Sequence, residues 1–442
     1  MEFYAAIRSA RWMLAGYPAD EYSRVLEASQ RWSREQLENF RDEKLKALIT
    51  HCYENVPFYR RAMEKHRLTP GDIRRSEDLA KLPILTKEAV RSHSKELCST
   101  TLSKMKVTWT KTGGTTGEPI RVAKNRECKA WDGMCLERAY GWGGLAVNEP
   151  RIRMFGGSLG IDRVSFTNRI GAIFRRDLFI PAFELRRDIA SSYFNKIARS
   201  KYHFLVGYAS AIYRLAVLAK EQNQAIELTA VFPTAELMLP EWEEVIREAF
   251  KCSILPFYGC GEVNSLGFSA REKNGYLIPE EHALIEVMQS NGNTQLYGEG
   301  RFLVTDLDNY AMPIIRYANG DAGKISVPKG RFPYGRIERL DGRYNSLLMT
   351  DSGDLISGVI GTHVFRLTSS VLSYRIIQEE PLKITVKMVP KDGAVSRSDE
   401  LLVIDLFTKY LGNGMTISLE KVQELPATPS GKSVFVVNHC LQ

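Results

Sequence analysis

A glycine- and threonine-rich segment at 111–119, KTGGTTGEP, carries residues suited to holding an anion. Glycine allows the backbone to approach a phosphate closely, and successive N–H groups together with threonine hydroxyls form an anion-binding concavity. The common phosphate-binding loop needs a lysine directly after its last glycine, whereas Glu118 and Pro119 follow Gly117 here. The segment therefore predicts a phosphate cradle without its own lysine or, equally well, an ordinary hairpin turn.

A lysine near the C-terminal end lies in the turn sequence TPSGKS at 428–433. Its GKS ending matches a phosphate-binding loop, but Pro426 stands where the first glycine of that loop belongs. A strand-like SVFVV also follows where the loop would lead into a helix. The pattern excludes a phosphate-binding loop. It leaves Lys432 on a turn shaped by Pro429 and Gly431, either as an exposed structural lysine or as a functional cation.

Two further segments combine turn residues with acidic side chains. FYGCGEVNSLGF at 257–268 predicts a strand that ends in an aromatic–glycine turn, where Tyr258 could stack on a base and Glu262 could hold a hard cation. VTDLDNYAMPIIRYANGDAGKI at 304–325 predicts a β-hairpin in which Asp321 could accept the hydroxyls of a ribose. The alternatives are a strand–turn–helix with a capping glutamate and an Asn-Gly hairpin turn.

The elements that would position these segments alternate between strand-like and helical patterns. After a helical region over 1–100, the strand-like YHFLVGY, AVFPTA and CSILPFYG alternate with helical runs such as PEWEEVIREAF, which is the rhythm of βα units in an open sheet. The segment 276–340 is rich in strand patterns. Beyond residue 345, β-like KITVKMV, helical DELLVIDLFTKYL and strand-like SVFVV follow one another.

The predicted fold is therefore α/β with two domains. A large N-terminal domain over 1–341 contains mixed sheets flanked by helices, a β-rich subdomain and the helical lead-in over 1–100. A small, mobile α+β domain over 342–442 carries Lys432. The length of 442 residues supports this division, because a single hydrophobic core usually stops growing at a shorter length.

Composition narrows the function classes. Hydrophobic residues at 44% and charged residues at 25% are typical of a globular protein, and the net charge of +8 is scattered, which favours small anionic ligands over nucleic acid. The seven cysteines contain no C-x-x-C pair, which argues against a disulfide framework or a zinc site and fits a reducing cytoplasm. The start of the sequence lacks the pattern of a signal peptide. The apolar stretch at 204–219 carries Arg214 and is too short to span a bilayer, so it predicts a buried helix.

The order of these motifs resembles that of the adenylate-forming enzymes: a Gly/Thr loop, YGxxE, PxIRYxxGD, GR at 342–343 and a turn lysine near the end. The segment HCYENVPFYRR…DLAKLPILTKEAVR is similar to the opening of the phenylacetate–CoA ligase subfamily, including relatives encoded in capsule and exopolysaccharide gene clusters. The resemblance extends over 45–437. It implies that ATP activates a carboxylic or amino acid as an acyl-adenylate, with release of pyrophosphate, and that the acyl group then passes to a thiol or another nucleophile.

The resemblance also implies a role for each matching residue. Tyr258 matches the aromatic residue that stacks on adenine, Glu262 the magnesium-binding glutamate and Asp321 the aspartate that binds the ribose hydroxyls. Lys432 matches the catalytic lysine that bridges the carboxylate and the α-phosphate, and so supplies the cation that the Gly/Thr loop lacks. The implied cofactors are ATP and Mg²⁺, with coenzyme A as the usual acceptor. The other nucleotide-binding residues implied in this way are Thr112, Gly113, Gly114, Thr115, Thr116, Gly117 and Arg343.

The acyl pocket of relatives lies between the sheet and the segment before YGxxE. By position, this implies the lining residues Phe155, Gly156, Thr234 and Glu236. The sequence departs from the family pattern at Asn345, where a hinge residue is commonly acidic, so we expect a differently poised small domain and slow transfer to coenzyme A. Cys260, in the YGxxE turn, is expected to be a packed small side chain and not a nucleophile.

Three functions remain open. The first is a ligase that transfers the acyl group to coenzyme A. The second is an amide- or ester-forming ligase that transfers an acyl or aminoacyl group to an amine or hydroxyl of a polysaccharide or cell-envelope intermediate, with peripheral contact to a membrane. The third is a non-catalytic nucleotide-binding protein, which the intact Lys432, Glu262 and Asp321 disfavour. We expect a cytoplasmic enzyme of the first or second kind that binds no nucleic acid.

Overall fold

The computed structural model describes most of the chain as a mixed α/β protein. The described residues are 19–111, 120–146, 149–155, 177–183, 185–199, 202–270, 275–289, 291–328, 330–341, 347–365, 367–425 and 436–440. Their helices are α1 Ala19–Ser29, α2 Arg34–Asn55, α3 Pro57–Lys65, α4 Lys87–Ser92, α5 Arg126–Trp142, α6 Arg187–Ala198, α7 Ala209–Glu221, α8 Pro240–Phe250, α9 Val359–Phe365 and α10 Arg397–Leu411. Their strands are β1 Val107–Lys111, β2 Arg121–Asn125, β3 Ile152–Phe155, β4 Leu178–Pro181, β5 Phe204–Tyr208, β6 Ala230–Thr234, β7 Ser253–Ile254, β8 Phe257–Tyr258, β9 Gly267–Phe268, β10 Tyr276–Leu277, β11 Ala283–Met288, β12 Thr294–Gln295, β13 Gly298–Asp306, β14 Tyr317–Ser326, β15 Arg336–Asp341, β16 Leu347–Met349, β17 Leu355–Ser357, β18 Val371–Glu380, β19 Lys383–Pro390, β20 Thr416–Lys421 and β21 Val436–Asn438.

The chain forms two compact units, each built from segments that are far apart in sequence. The first unit contains Met1–Thr112, Ile120–Asn148 and Leu255–Gly342. The second unit contains Gly113–Pro119, Glu149–Ile254 and Arg343–Gln442. The last segment of the second unit begins next to the predicted start of the C-terminal domain. Whether this segment moves as an independent domain stays a prediction.

The helices of the first unit begin at residues that satisfy or remove free N–H groups. The Ser33 hydroxyl accepts a hydrogen bond from the Gln36 backbone at 3.1 Å, and the Gln36 side chain accepts one from the Ser33 backbone at 2.8 Å, so a capping box starts α2. Pro57 occupies the first turn of α3, where its missing N–H costs nothing. The buried face of α2 carries Leu45 and Leu48, which belong to the hydrophobic core under the sheet.

The β-rich segment predicted at 276–340 forms most of an antiparallel sheet in the first unit. The described residues give it eight strands in the order β12-β11-β13-β14-β15-β10-β9-β8. Strand β11, which lies between the edge strand β12 and β13, is buried along its whole length. A separate hairpin pairs β1 with β2, and Lys111 pairs with Arg121 at its end. The sequence KTGGTTGEP therefore connects two paired strands, although residues 112–119 lie outside the described part of the chain.

The second unit contains the βα units that the sequence predicts. Its parallel sheet has the order β4-β3-β5-β6-β7, and β5 is buried at every position because both faces of the sheet are covered. Helix α8 begins with Pro240 and buries Trp242, Ile246 and Phe250 at four-residue spacing. It ends where Lys251 adopts a left-handed conformation with φ of 48°.

The C-terminal segment of the second unit is an α+β structure, as predicted. Its described strands form the mixed sheet β20-β19-β18-β21 and the hairpin β16–β17. Phe407 of α10 and Ile376 of β18 are fully buried and belong to the same hydrophobic core as Leu205 of β5 and Ile212 of α7. The C-terminal segment therefore shares a core with the parallel sheet.

The apolar stretch at 204–219, which the sequence predicts as one buried helix, is divided between β5 and α7. The strand takes its first five residues and the buried helix the rest. Among the described residues, no helix combines the length and apolarity needed to cross a bilayer.

The segment CSILPFYG, predicted as a single strand, is divided as well. It forms β7, which pairs with β6 in the parallel sheet, and β8, which pairs with β9 in the antiparallel sheet. Pro256 lies between them and has no N–H with which to continue a strand ladder. The break places Tyr258 in the first unit, which also contains β14, the strand of Asp321.

The close packing of the parallel sheet can be tested by a substitution at Gly207. This residue pairs with Met154 of β3, and a Cβ atom at residue 207 would lie 2.4 Å from the Met154 carbonyl oxygen. Gly207→Ala should therefore lower the free energy of unfolding by about 1–3 kcal/mol, the usual cost of overpacking. Chemical denaturation followed by circular dichroism measures this change. The control is Gly141→Ala in α5, where the new methyl group would meet no atom within 4 Å and should raise stability by at most about 1 kcal/mol. Equal stability of the two variants would contradict the close approach of β3 and β5.

Candidate active site

Tyr258 and Asp321, predicted to bind adenine and ribose, are in direct contact. The Tyr258 hydroxyl donates to Asp321 Oδ2 at 2.8 Å and accepts a hydrogen bond from Asn319 Nδ2 at 2.7 Å. Asn319 Nδ2 also donates to Asp321 Oδ2 at 3.1 Å. Burial and the neighbouring Asp321 charge raise the pKa of Tyr258 well above its usual value, so the phenol stays neutral. The three side chains form a polar cluster at the end of β8.

A β-bulge gives Asp321 its place in this cluster. Leu303 of β13 pairs with Ala318 and Arg301 with Ala322, so three residues of β14 face the single residue between them. Gly320, in the middle of the bulge, has a φ of +89°, a conformation that favours glycine. Bulges redirect side chains and are frequent beside active sites. The Asn-Gly-Asp sequence is therefore a bulge inside a strand, and the interpretation as a hairpin turn is wrong.

Glu262 lies in the loop between β8 and β9 and is fixed by a residue of β14. The Tyr317 hydroxyl donates to Glu262 Oε1 at 2.9 Å, and both side chains are buried. Glu262 Oε2 has no hydrogen-bond partner among the described residues. A carboxylate oxygen held in this way is the kind of ligand that Mg²⁺ takes in proteins. Tyr317 and Asp321 belong to the same strand. Strand β14 therefore positions both the predicted magnesium ligand, Glu262, and the predicted ribose-binding residue, Asp321.

The loop that carries Glu262 is tightly folded. A Cβ atom at Gly259 would lie 1.6 Å from the Asn264 carbonyl oxygen, so only glycine fits at the start of the loop. The Cys260 backbone N–H donates to the Val263 carbonyl at 2.9 Å and closes the turn around Glu262. Burial raises the pKa of Cys260 well above that of an ordinary thiol, which agrees with the expectation that it is not a nucleophile. No helix follows this loop, so the strand–turn–helix alternative is wrong.

Arg316, directly before Tyr317, is held by an extensive set of hydrogen bonds. It has a φ of 53°, which is unfavourable for a residue with a side chain. Its Nε donates to Glu286 at 3.0 Å, and its terminal nitrogens donate to Thr294 Oγ1 and to the carbonyl of Leu82. Its own N–H donates to Thr305 Oγ1 at 3.0 Å. These bonds offset the backbone strain and fix the start of β14, so the arginine of the PxIRYxxGD motif acts structurally in the described residues.

Three consecutive buried charges, which we call the acid–histidine triplet, follow β10: Glu280, Glu281 and His282. Glu280 binds Arg34 in a bidentate pair at 2.6 and 2.8 Å, and Arg41 at 2.6 Å. Although burial alone would raise the pKa of Glu280, the bonds from both arginines hold it below its usual value. The sequence does not reveal the triplet, because it lies within a segment whose pattern predicts strands.

Glu281, the second member of the triplet, binds an arginine of helix α5 and two hydroxyl groups. It accepts hydrogen bonds from Arg138 at 2.6 Å, from the Tyr334 hydroxyl at 2.8 Å and from the Ser29 hydroxyl. Burial opposes ionisation, but the Arg138 charge outweighs it and lowers the pKa of Glu281. These bonds join α1, α5 and the segment before β15 to one buried carboxylate.

His282 completes the triplet with a carboxylate at each ring nitrogen. Its Nδ1 lies 2.7 Å from Asp308 Oδ2 and its Nε2 lies 3.0 Å from Asp132 Oδ1. Lys124 binds Asp132 at 3.1 Å, and Lys44 binds Asp308 at 2.7 Å. Burial alone would lower the pKa of His282, but the two carboxylates raise it to about 10, so the ring is charged at neutral pH.

Part of this network has the spacing of a metal site. Ligand atoms of His282, Asp306 and Asp308 lie within 4.8 Å of one another. Both nitrogens of His282 already contact carboxylates, and Lys44 and Lys124 supply positive charge beside them. The described side chains therefore neutralise one another, and we interpret the cluster as a structural ion network.

Phe155, predicted to line the acyl pocket, lies at the carboxyl end of β3 in the second unit. The sheet order β4-β3-β5 places the switch point of this parallel sheet between β3 and β5, where ligands bind in open α/β sheets. Tyr208 ends β5, and its ring lies 5.4 Å from that of Phe155. The Tyr208 hydroxyl lies 3.2 Å from His363 Nε2, and Phe183 stacks on Tyr208. Sequence analysis missed Tyr208, Phe183 and His363, because nothing in their local patterns marks them.

Thr234 and Glu236 lie at the carboxyl end of β6. The Glu236 carboxylate accepts hydrogen bonds from the Ser210 backbone at 2.7 Å and from the Ser210 hydroxyl at 3.2 Å, and so caps the start of α7. Ala235 lies between them and has a φ of 68°, a strained backbone conformation for a residue with a side chain. The carboxylate of Glu236 is thus engaged in a helix cap, and its predicted contact with substrate stays a prediction.

The other predicted site residues lie outside the described part of the chain. These are Thr112, Gly113, Gly114, Thr115, Thr116 and Gly117 of the Gly/Thr loop, together with Gly156, Arg343, Asn345 and Lys432. Their roles stay predictions from the sequence.

Comparisons with known proteins agree with the fold and with the resemblance. Residues 348–439 match the family model of the CapK C-terminal domain. Protein CapK of Staphylococcus aureus is 23% identical over 419 residues, which is 90% of this chain and 88% of that protein. Phenylacetate-coenzyme A ligase of Escherichia coli is 26% identical over 343 residues, covering 72% of this chain and 73% of the ligase. A solved structure of 2-hydroxyisobutyryl-CoA ligase with 2-HIB-AMP and CoA has a TM-score of 0.62 and 17% identity, over 93% of this chain and 92% of that chain. The predicted resemblance and the mixed α/β fold are confirmed.

The charge of His282 predicts how stability depends on pH. Since folding raises its pKa from about 6.5 to about 10, its stabilisation is complete below pH 6.5 and is lost as pH rises through 10. His282→Gln should therefore unfold at a much lower temperature than the natural protein at pH 6, and the difference should shrink towards pH 10. Differential scanning calorimetry across this range measures it. The exposed His66→Gln is the control and should show no such trend. A constant difference across the range would contradict a charged His282.

Proposed function

Because this chain is related in sequence to phenylacetate–CoA ligases and has the fold of an adenylate-forming CoA ligase, we propose that it activates a carboxylic acid with ATP and transfers the acyl group. The observation that carries the proposal is the arrangement on β14. One strand holds Asp321 against Tyr258 and, through Tyr317, fixes the Glu262 carboxylate. A purely structural strand would not need a bulge that directs an aspartate onto Tyr258 at the end of β8.

In this proposal the first unit binds the adenosine. Tyr258 offers an aromatic face to the adenine, and Asp321 accepts hydrogen bonds from the ribose hydroxyls. The hydrogen bond from Tyr258 to Asp321 holds both side chains in place before the nucleotide arrives. The Gly/Thr loop, with Thr112, Thr115 and Thr116, takes the phosphates, and Arg343 helps to hold the nucleotide.

Magnesium fits the same site because Glu262 is buried, carries a carboxylate fixed at one oxygen, and has its second oxygen without a hydrogen-bond partner among the described residues. Glu262 is the residue that would hold the ion. When bound, Mg²⁺ neutralises charge on the phosphates of ATP. Tyr317 fixes the carboxylate, which limits the rearrangement needed on binding.

The chemistry proceeds in two steps. In the first, an oxygen of the substrate carboxylate forms a bond to the α-phosphorus of ATP, and the bond from that phosphorus to the pyrophosphate oxygen breaks. Lys432 is the proposed cation between the carboxylate and the α-phosphate, where negative charge accumulates. In the second step, a nucleophile attacks the acyl carbon and loses a proton, and AMP leaves with the electrons of the broken C–O bond. Phe155 and Tyr208 are the proposed lining of the acyl pocket.

Coenzyme A is the proposed acceptor, and cytoplasm the proposed compartment. A second acceptor class, an amine or hydroxyl of a polysaccharide or cell-envelope intermediate, is the alternative that the resemblance to relatives encoded in capsule and exopolysaccharide gene clusters implies. Asn345 in the hinge position also favours this alternative. Decay of the preformed adenylate, measured in single turnovers with coenzyme A and with candidate amines, distinguishes the two. The non-catalytic alternative would show ATP binding without pyrophosphate formation.

Asp321→Ala tests the nucleotide site. Loss of the ribose contacts should weaken ATP binding by about 1–3 kcal/mol, the cost of removing a hydrogen-bonding partner from a site of this kind. Isothermal titration calorimetry measures the affinity. Glu299→Ala, an exposed carboxylate on the neighbouring strand β13, is the matched control and should bind ATP normally. Unchanged affinity in Asp321→Ala would limit this residue to a structural role in the bulge.

Lys432→Ala tests the first chemical step. The variant should bind ATP and fold like the natural protein but catalyse carboxylate-dependent ATP–pyrophosphate exchange about 10²–10³-fold more slowly, as expected for the loss of one transition-state contact. Lys421→Ala, at the exposed end of β20 in the same segment, is the control for loss of a lysine. Exchange within tenfold of the natural rate would exclude Lys432 from adenylation.

A further inference from the structure

Asp132 of helix α5 is buried. It binds two positively charged side chains and also the loop that carries Glu262. Its carboxylate accepts hydrogen bonds from Lys124 at 3.1 Å, from His282 Nε2 at 3.0 Å and from Asn264 Nδ2 at 2.8 Å. Its backbone carbonyl accepts a fourth bond, from the Ser265 hydroxyl at 3.3 Å. Two adjacent residues of the β8–β9 loop are thus bound to one residue of α5.

This attachment lies two and three residues after Glu262. The intervening Val263 is fully buried and closes the turn with Cys260. Gly259 on the other side allows a backbone approach that no other residue would permit. The loop is therefore held by backbone packing at its start and by Asp132 at its end, with Glu262 between them.

The carboxylate of Asp132 is well suited to hold a loop rigidly. Burial alone would raise its pKa, but the charges of Lys124 and His282 outweigh burial and lower it, so Asp132 stays ionised. Hydrogen bonds to an ionised acceptor are stronger than neutral ones. His282 is itself fixed by Asp308, which binds Lys44 of α2. The loop is thereby anchored to a network that spans helices α2 and α5.

We propose that Asp132, through Asn264 and Ser265, is a positioning residue that orients the Glu262 loop for a divalent cation bound with ATP. Tyr317 fixes the Glu262 carboxylate directly, and Asp132 fixes its loop through the side chains of Asn264 and Ser265. The inference rests on the proposed function, because a magnesium–nucleotide complex is the ligand for which Glu262 must be oriented.

Asn264→Ala is the variant that tests this proposal. Asp132→Asn would leave two buried cations without their shared anion and is expected to damage folding, whereas Asn264 is exposed and its removal takes away one bond to the loop. The control is Ser29→Ala, which removes a bond to Glu281 in the neighbouring network and has no contact with the loop.

ATP binding is measured by calorimetry with and without Mg²⁺, and hydrogen–deuterium exchange is followed for the peptide covering residues 259–266. In Asn264→Ala, the gain in affinity that Mg²⁺ gives should fall about tenfold, as is typical for residues that orient a metal ligand, while magnesium-free binding stays unchanged. Exchange of the loop amides should become faster. Ser29→Ala should lower the unfolding temperature but leave both the magnesium gain and the loop exchange as they are.

The outcomes distinguish failure of the proposed function from failure of the positioning role alone. If the natural protein shows no magnesium-dependent gain in ATP affinity, the proposed function fails, and the positioning role fails with it. If the natural protein shows the gain and Asn264→Ala keeps it, with unchanged exchange of the loop, the positioning role alone is overturned. Loss of the gain in Asn264→Ala but not in Ser29→Ala supports it.

Discussion

The neutralisation of buried charge is the constraint on which the first unit depends. Glu280, Glu281 and His282 are consecutive and almost completely enclosed, and an isolated charge in such a place would cost several kcal/mol. Each therefore requires its own partner of opposite charge from a different part of the chain. Glu280 takes arginines of α2, Glu281 takes Arg138 of α5, and His282 takes Asp132 and Asp308. These bonds hold helices α1, α2 and α5 against the segment between β10 and β11.

The same network reaches the candidate nucleotide site. Asp132 binds His282 on one side and the loop of Glu262 on the other, so the position of that loop follows from the packing of α5. Arg316 provides a second attachment for the site. Its bonds to Glu286 and to backbone carbonyls fix the strained start of β14. Tyr317 follows and binds Glu262. The site is therefore built on two rigid supports, which favours a pre-organised arrangement of polar side chains over one formed when a ligand arrives.

Much of this architecture could be predicted from the sequence. Hydrophobic patterns located the helices and strands, and the order of short motifs selected Tyr258, Glu262 and Asp321, of which the structure brings Tyr258 and Asp321 into contact and attaches Glu262 to the strand of Asp321. The acid–histidine triplet could not be predicted, because burial of a charge depends on partners from other parts of the chain, most of them more than a hundred residues away. The bulge around Gly320 has the same Asn-Gly signal as a hairpin turn, and only pairing with β13 distinguishes them. The position of Glu236 in the sequence implies that it lines the acyl pocket. Its bond to Ser210 at the start of α7 could not be predicted, because it depends on tertiary packing.

The central claim is that this chain joins the carboxylate of an acid to the α-phosphate of ATP. The most direct measurement is ATP–pyrophosphate exchange by the natural protein over a panel of carboxylic and amino acids, with Mg²⁺ present and in the absence of any acceptor. The account predicts exchange that depends on one acid or a group of related acids and that stops when Mg²⁺ is removed. ATP binding without exchange for any acid of a broad panel would contradict it and would support a nucleotide-binding protein without ligase chemistry.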